Sequence, residues 1–314
     1  MRDGLADHAT TTRGRNVRPR CYGKSILNSS CYSRFSMPAQ LAPGSFSLGA
    51  VFCWGTSDFL GGVATRRAST FLLTSVTHFA GASLMLVLAL LNHSTFPSRA
   101  SMGWAIGAGL CGGAALAIFY RALAIGKMGL AAPLTAVIAA VIPTLFGMIT
   151  EGAPSKPQMA GFILAGISIW LISRSEDHTR PEGLGLAVLA AIGFAGFFLC
   201  AKQAGQGSAL WMAAISRGAS LLLTAAIVFL GRQPREINLR SAMLGSIAGF
   251  LDSSGTALFI RASQTGRLDA AVVISSLYPA ITVLLARFVL HEHLSRGRLV
   301  GMVAALAAVA LIAV

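Results

Sequence analysis

The sequence predicts an all-α polytopic membrane protein of ten transmembrane helices, arranged as two inverted five-helix repeats. The first observation is composition: 54% of the residues are hydrophobic and only 11% are charged, whereas soluble domains hold about 25% charged residues. The second is that apolar runs of the roughly 20 residues needed to cross a bilayer recur about ten times between Ser47 and Val314. The third is an internal echo between the two halves. The composition argues against a soluble globular domain.

The internal echo joins residues that lie 140 positions apart. Arg121, Ala122, Gly126, Ala131, Leu145 and Gly161 recur as Arg261, Ala262, Gly266, Ala271, Leu285 and Gly301. A duplicated unit with an odd number of spans places its second copy in the opposite orientation. Inverted duplication is a recurring architecture of secondary transporters, in which the substrate lies near the bilayer midplane between the halves.

The spans follow from the positions of the apolar runs, with charged residues gathered at the ends of the runs. They are predicted at 47–66, 70–92, 101–121, 128–150, 158–174, 184–204, 209–231, 241–261, 270–290 and 298–314. Residues 47–174 therefore form the first repeat and residues 184–314 the second. Proline frees a backbone carbonyl, so Pro133 and Pro143 are expected to break the fourth span, and Pro279 to bend the ninth.

Residues 1–36 differ from the rest of the chain. They hold seven Lys or Arg and two Asp, with no apolar core of the length found in a signal peptide. We expect a disordered basic tail, with a transit peptide as the alternative, and Met37 is an alternative translation start. The basic residues of the loops do not decide which side of the membrane the termini face.

The formal net charge of +14 resides mainly in short loops and in the tail, which favours anionic lipid headgroups over nucleic acid as the partner. The five cysteines form no CxxC pair, so neither a zinc site nor a disulfide framework is predicted. His291 and His293 lack HExxH spacing because Ser295 stands where the second histidine would be. No phosphate-binding loop, dinucleotide fingerprint or nucleophile–base arrangement is present, and we predict no cofactor, no metal and no catalytic residue.

Several short segments carry a family resemblance. Residues 54–59 (WGTSDF) are similar to the first helix of EamA-type proteins of the drug/metabolite transporter superfamily, and residues 129–134 (GLAAPL) resemble the start of their fourth helix. Residues 277–279 (LYP) followed by Glu292 resemble their closing pattern, and Glu151 matches as the corresponding glutamate of the first half. The resemblance implies a ten-helix carrier of small organic solutes, usually moved outward from the cytoplasm. It does not imply a particular substrate.

Charged residues inside spans are rare and costly, which makes them candidates for a functional site. Asp58, Arg217 and Asp252 lie in the first, seventh and eighth predicted spans. Arg217 would bind a substrate carboxylate or phosphate through its planar guanidinium, and Asp252 or Asp58 would take up a coupling proton if burial favoured the neutral acid. The alternative is a structural Asp–Arg pair that holds helices together without exchanging protons.

Aromatic and hydroxyl groups complete the predicted binding site. The candidate substrate-binding residues are Arg217, Trp54, Ser57, Tyr120, Asp252, Ser275, Ser276 and Tyr278. For the aromatic residues the alternative is anchoring at the membrane interface, and for the serines near Pro279 it is a simple packing kink. Glu151 and Glu292 lie at span ends, where we expect them to stabilise a loop or a helix start.

The sequence therefore predicts a secondary-active carrier, not an enzyme, that moves a small organic metabolite or drug-like solute by alternating access. Export is favoured and import is left open. The rival classes are an intramembrane enzyme that acts on lipids and a passive channel. We expect an integral protein of the bacterial inner membrane, in contact with membrane lipids, and a homodimer is left open.

Overall fold

Long apolar segments in a bilayer fold into helices because only a helix satisfies every backbone group within one segment. The computed structural model describes residues 41–125, 128–173, 183–205, 207–231, 236–291 and 296–312, which contain eleven α-helices and no strand. The helices are α1 Leu41–Thr65, α2 Thr70–Leu91, α3 Arg99–Ile125, α4 Met128–Glu151, α5 Lys156–Ser173, α6 Leu184–Gln203, α7 Ala209–Leu230, α8 Leu239–Thr265, α9 Leu268–Ser275, α10 Tyr278–Val289 and α11 Arg296–Ile312. The predicted tail at 1–36, together with Glu292, His293 and Ser295, lies outside the described residues.

Two predictions about proline are decided by the structure, in opposite directions. The ninth predicted span is two helices, α9 and α10, which are separated at Ser276 and Leu277. Pro279 follows the break in the first turn of α10, where its missing N–H is not needed. The predicted break in the fourth span is wrong, because α4 is one helix through Pro133 and Pro143.

Within the part of the chain that the structure describes, seven stretches are long and apolar enough to cross a membrane, which makes the chain an integral membrane protein. They are residues 70–91, 99–125, 134–151, 184–203, 209–230, 239–265 and 268–289, with α9 and α10 counted as one stretch. The remaining three predicted spans correspond to α1, α5 and α11. The first of these begins at Leu41, six residues before the predicted start.

The two halves pack with a twofold pattern. We take α1 to α5 to correspond to α6, α7, α8, α9–α10 and α11. The most extensive contacts then have counterparts: α1 packs on α8 as α6 packs on α3, and α2 packs on α8 as α7 packs on α3. The pairs α2–α7 and α5–α11 are self-symmetric. This pattern fits the two-repeat architecture expected from the echo in the sequence.

Glycines allow the central helices to approach closely. A Cβ on Gly109 of α3 would lie 2.1 Å from the Ser216 carbonyl oxygen of α7, and a Cβ on Gly249 of α8 would lie 2.1 Å from the Thr77 carbonyl oxygen of α2. Small residues at such crossings are typical of membrane helix packing. These close crossings bring the polar side chains of α2, α7 and α8 near one another in the interior of the bundle.

The ends of the helices define two faces of the bundle. Pro43 near the start of α1 contacts Gly266 at the end of α8, and we call this end the N-terminal face. The starts of α3, α5, α7 and α9 and the ends of α2, α4 and α6 lie there too, since consecutive helices run in opposite directions. The opposite face carries the end of α3 beside Gly183, which precedes α6.

Candidate functional site

A central cavity lies between helices of both repeats. Charged, hydroxyl and aromatic side chains all contribute to its walls. The lining residues are Trp54, Asp58, Gly112, Leu116, Ala136, Ala139, Phe194, Phe197, Phe198, Arg217, Asp252, Ser276 and Tyr278. All three charged residues predicted inside spans are among them, so the fold brings together side chains that are far apart in the sequence.

Arg217 and Asp252 form a buried ion pair at the cavity wall. Nη1 of Arg217 lies 3.1 Å from Oδ2 of Asp252, and the two side chains are 5% and 8% exposed. Nη2 of Arg217 donates to Oγ1 of Thr256, which is one helical turn after Asp252 and shares its face of α8. The guanidinium carbon also lies 6.0 Å from the centre of the Phe197 ring, within the range of a cation–π contact.

Asp58 is the third charged residue of the cavity. It is 6% exposed, in the middle of α1, and among the described residues it forms no ion pair or hydrogen bond. If Asp58 and Asp252 were both ionised, the cavity wall would carry two negative charges and the one positive charge of Arg217. Binding of a proton or of a cation would neutralise the excess negative charge.

Trp54 is the centre of an aromatic wall. Its ring packs against Phe197, Phe198, Phe259 and Tyr278, with centroid separations of 5.6 to 6.5 Å. Its Nε1–H donates to the backbone carbonyl of Asp252 at 3.2 Å. Trp54 thus ties α1 to α8 at the level of the ion pair and presents an apolar surface beside the charges.

Three predicted binding residues lie behind the cavity wall. Ser57 and Tyr120 are fully buried, and their hydroxyl oxygens are 3.2 Å apart. Ser57 donates its single proton to the Ala248 carbonyl at 2.8 Å, so the Tyr120 hydroxyl is the donor to Ser57. Ser275 is also fully buried and does not line the cavity. These residues support the wall from the second layer.

The break between α9 and α10 brings a polar group to the cavity. Ser276 lines it, and its Oγ is buried without a hydrogen-bond partner among the described residues. Thr282 fastens α10 to α1 by donating to the Gly55 carbonyl at 3.0 Å. A hydroxyl without a partner beside a helix break is available to a ligand.

A polar network of Glu151, Lys202, Arg267 and Asp269, which we call the latch, joins the ends of α4, α6 and α8 to the start of α9 at the N-terminal face. Glu151 at the end of α4 accepts from the backbone N–H of Leu268 at 2.8 Å. Its other carboxylate oxygen lies 2.6 Å from Nζ of Lys202 on α6, and Lys202 also donates to the Ser263 carbonyl of α8 at 3.2 Å. Glu151 of the first repeat thereby stabilises the start of α9 in the second, the kind of role expected for it.

Arg267 completes the latch. It donates to both carboxylate oxygens of Asp269, at 3.0 and 2.7 Å, and to the carbonyls of Glu151 and Gly152, at 3.2 and 2.6 Å. The hydrogen bonds to Asp269 raise the pKa of the Arg267 guanidinium, so it stays charged at every physiological pH. Deprotonation of the arginine therefore cannot release these bonds.

Sequence reasoning missed part of the site. Phe194, Phe197 and Phe198 lie at positions i, i+3 and i+4 of α6, a spacing that places them on one helical face and that was visible in the sequence. Thr256 could have been found by the same spacing from Asp252.

Comparison with known proteins identifies the architecture. The model of the EamA-like transporter family matches the chain twice, at residues 44–174 and 181–314. A crystal structure that is 16% identical superposes with a TM-score of 0.69, covering 87% of this chain and 97% of that chain. Likeness at this level of identity shows the fold alone. No curated protein matches the chain.

Proposed function

Because the chain belongs to the EamA-like transporter family, we propose that it is a secondary-active carrier with ten transmembrane spans that moves a small organic solute by alternating access. The observation that carries this proposal is the buried Arg217–Asp252 pair on the wall of a cavity between the two repeats. A buried charge in a membrane protein is costly and is typically retained for a pathway or a binding site. We place the protein in the bacterial inner membrane and favour export as its direction.

The cavity suits an anionic or zwitterionic solute with an apolar part. The Arg217 guanidinium can bind a carboxylate or phosphate with two parallel hydrogen bonds. Asp58, which has no partner among the described residues, can bind a positively charged group on the same solute. The rings around Trp54 supply an apolar surface, and the Ser276 hydroxyl is free to bond to the solute.

Coupling follows from competition for Arg217. A substrate anion that binds Arg217 displaces the Asp252 carboxylate from its ion pair. A buried carboxylate without a cation favours its neutral form, so Asp252 would take up a proton as the substrate binds. Asp58 is the second candidate for this step.

Alternating access requires the latch to open. Replacing Glu151 with Gln keeps its size but removes the charge that pairs with Lys202. We expect a cysteine introduced at Ser276 to become more reactive toward a thiol reagent added from the N-terminal face in this variant. If Glu151→Gln leaves that reactivity unchanged, the latch does not control access to the cavity.

Solute-stimulated counterflow in proteoliposomes, run over a panel of metabolites, tests the carrier function. Counterflow separates a carrier from a passive channel, which conducts without exchange, and from a lipid-modifying enzyme, which alters its substrate. If the panel yields no counterflow while one compound equilibrates through the protein, the carrier proposal is wrong.

Arg217→Lys then tests the site, because it keeps the charge and loses the planar pair of donors. We expect transport to fall while the protein remains folded in the membrane. Arg261→Lys is the matched control, since Arg261 is an exposed arginine near the end of α8. Normal transport by both Arg217→Lys and Arg217→Gln would remove Arg217 as a substrate ligand.

A further inference from the structure

The break between α9 and α10 places the start of a helix inside the bundle. The helix α10 is twelve residues long and starts at Tyr278. Ser276 and Tyr278, on either side of the break, both line the central cavity. The first N–H groups of a helix have no carbonyl partner within the helix, and the aligned peptide dipoles leave a partial positive charge at its start. A helix start at a cavity wall is therefore able to attract an anion.

The start of α10 has no side-chain cap. No side chain accepts a hydrogen bond from the N–H groups of its first turn. Leu277 and Ala280 donate their N–H groups to the carbonyls of Ile274 and Leu277, at 3.1 and 3.0 Å, and Pro279 has no N–H. The Tyr278 N–H is the remaining donor of this turn.

The hydroxyl of Ser276 is a second and independent feature of the break. Ser276 is 1% exposed, and its Oγ has no hydrogen-bond partner among the described residues although the residue lines the cavity. Buried polar groups are almost always hydrogen-bonded to protein or to ordered water. A buried hydroxyl on a cavity wall, without a partner, therefore points to a ligand.

The two sides of the break differ in a way that favours an anion. At the end of α9, the carbonyl of Val272 accepts from the Ser276 N–H at 2.8 Å, and the carbonyl of Ile274 accepts from the Leu277 N–H. The start of α10 has no equivalent cap on its N–H groups. The positive end of α10 and the Ser276 hydroxyl suit a group that accepts hydrogen bonds and carries negative charge.

Contacts with α1 hold the start of α10 in place. Gly55 of α1 lies against its first turn, where an added Cβ would lie 2.5 Å from the Tyr278 carbonyl oxygen. Thr282 of α10 donates to the Gly55 carbonyl at 3.0 Å. Donors that are fixed before a ligand arrives lose less entropy when it binds, so these contacts preorganise the break.

We propose that the break between α9 and α10 is a second anion-binding subsite of the cavity, in which the Ser276 hydroxyl and the Tyr278 N–H donate to a carboxylate or phosphate group of the solute. The inference rests on the proposed carrier function, because it concerns the solute that the cavity would transport. Starts of broken helices face the anionic group of the substrate in other secondary transporters.

This subsite is separate from Arg217. The guanidinium of Arg217 belongs to α7, and its Nη1 lies 3.1 Å from the Asp252 carboxylate. The break can hold an anionic group while Arg217 stays paired with Asp252. The solute then enters the cavity without breaking the ion pair, and exchange at Arg217 is a later step.

The test is nuclear magnetic resonance of the full-length chain labelled with ¹⁵N-tyrosine in lipid nanodiscs. The chain has four tyrosines, and the backbone N–H signal of Tyr278 is assigned by its loss in Tyr278→Phe. The probes are sodium acetate and sodium phosphate, and acetamide at the same ionic strength is the neutral comparison. We expect both anions to shift the Tyr278 signal in a saturable manner and acetamide to leave it unchanged. The Tyr120 signal, from a residue behind the cavity wall, should not move.

Substitutions at two neighbouring serines separate the hydroxyl from a general effect on the break. Ser276→Ala should raise the dissociation constant of acetate about tenfold, as expected for loss of a hydrogen bond to a charged group. Ser276→Thr keeps the hydroxyl and should bind acetate like the unmodified chain. Ser275→Ala is the matched control, because Ser275 is equally buried and its Oγ also lacks a partner among the described residues, but it does not line the cavity.

The double variant Arg217→Gln with Asp252→Asn removes the ion pair and keeps the break, so acetate should still shift the Tyr278 signal. An unchanged Tyr120 signal shows that a variant is folded, and Ser276→Cys replaces Ser276→Ala if the latter does not fold. The proposal is overturned if neither anion moves the Tyr278 signal, if Ser276→Ala binds acetate as tightly as Ser275→Ala, or if the shift disappears in the folded double variant. Because this experiment needs no transport, its failure is distinct from failure of the counterflow assay.

Discussion

The Arg217–Asp252 pair allows a quantitative prediction of stability. Both side chains are less than a tenth exposed, at 5% and 8%, so removing either partner leaves the other charge buried and uncompensated. Breaking such a pair costs about 3–5 kcal/mol. We therefore expect Arg217→Met and Asp252→Asn each to reduce the free energy of unfolding by roughly that amount.

The double variant should lose much less than the sum of the single losses. With both charges removed no ion stays buried, and a neutral pair of similar volume is often as stable as the ion pair. Thr256 loses its contact with Arg217 but can donate to a carbonyl one turn back in its own helix. We expect a coupling energy of at least about 2 kcal/mol in the double-mutant cycle.

Reversible unfolding in detergent micelles, followed by circular dichroism, provides the four free energies that the cycle needs. Exposed Arg261→Met serves as the control for loss of an arginine side chain, and it should be nearly neutral. If the double variant is destabilised by the sum of the single effects, the two side chains do not interact, and the site described here is wrong.

Three further predictions concern topology, the tail and helix packing. Cysteines introduced at Ser101 and Ser241, near the starts of α3 and α8, should react from opposite sides of the membrane, and labelling of both from one side would contradict the inverted repeat. A chain that begins at Met37 should insert and transport like the full chain, and failure to insert, or insertion in the opposite orientation, would show that the tail directs topology. Gly109→Ala should destabilise the bundle by about 1–3 kcal/mol because the added methyl meets the backbone of α7. Gly103→Ala on the same helix meets nothing within 4 Å and should be neutral or stabilising, so equal thermal shifts in the two variants would refute the packing.

The resemblance to EamA-type proteins, read from short segments such as residues 54–59 and 129–134, is confirmed by the family match over both repeats. The helices were predictable because a segment in lipid must be apolar along its whole length and must satisfy its own backbone. The three charged residues inside spans were also identifiable, because their cost in a bilayer makes them conspicuous in an apolar sequence. That these side chains bind substrate or protons stays a prediction.

Only the tertiary structure decided which of these residues meet. Asp252 pairs with Arg217 and not with Asp58, and Ser57 bonds to Tyr120 behind the cavity wall. The same holds for proline: Pro279 follows a break between helices, whereas α4 passes through Pro133 and Pro143 unbroken.

The physical reason is that helix formation in a membrane depends on local composition, whereas contacts between helices depend on the register of distant segments. Spacing along the chain places Asp252 and Thr256 on one face of α8, but nothing in that spacing shows that α7 lies opposite. The sequence by itself determined the helices and the buried charges, and the close packing that glycines permit between helices decided which polar groups share one site.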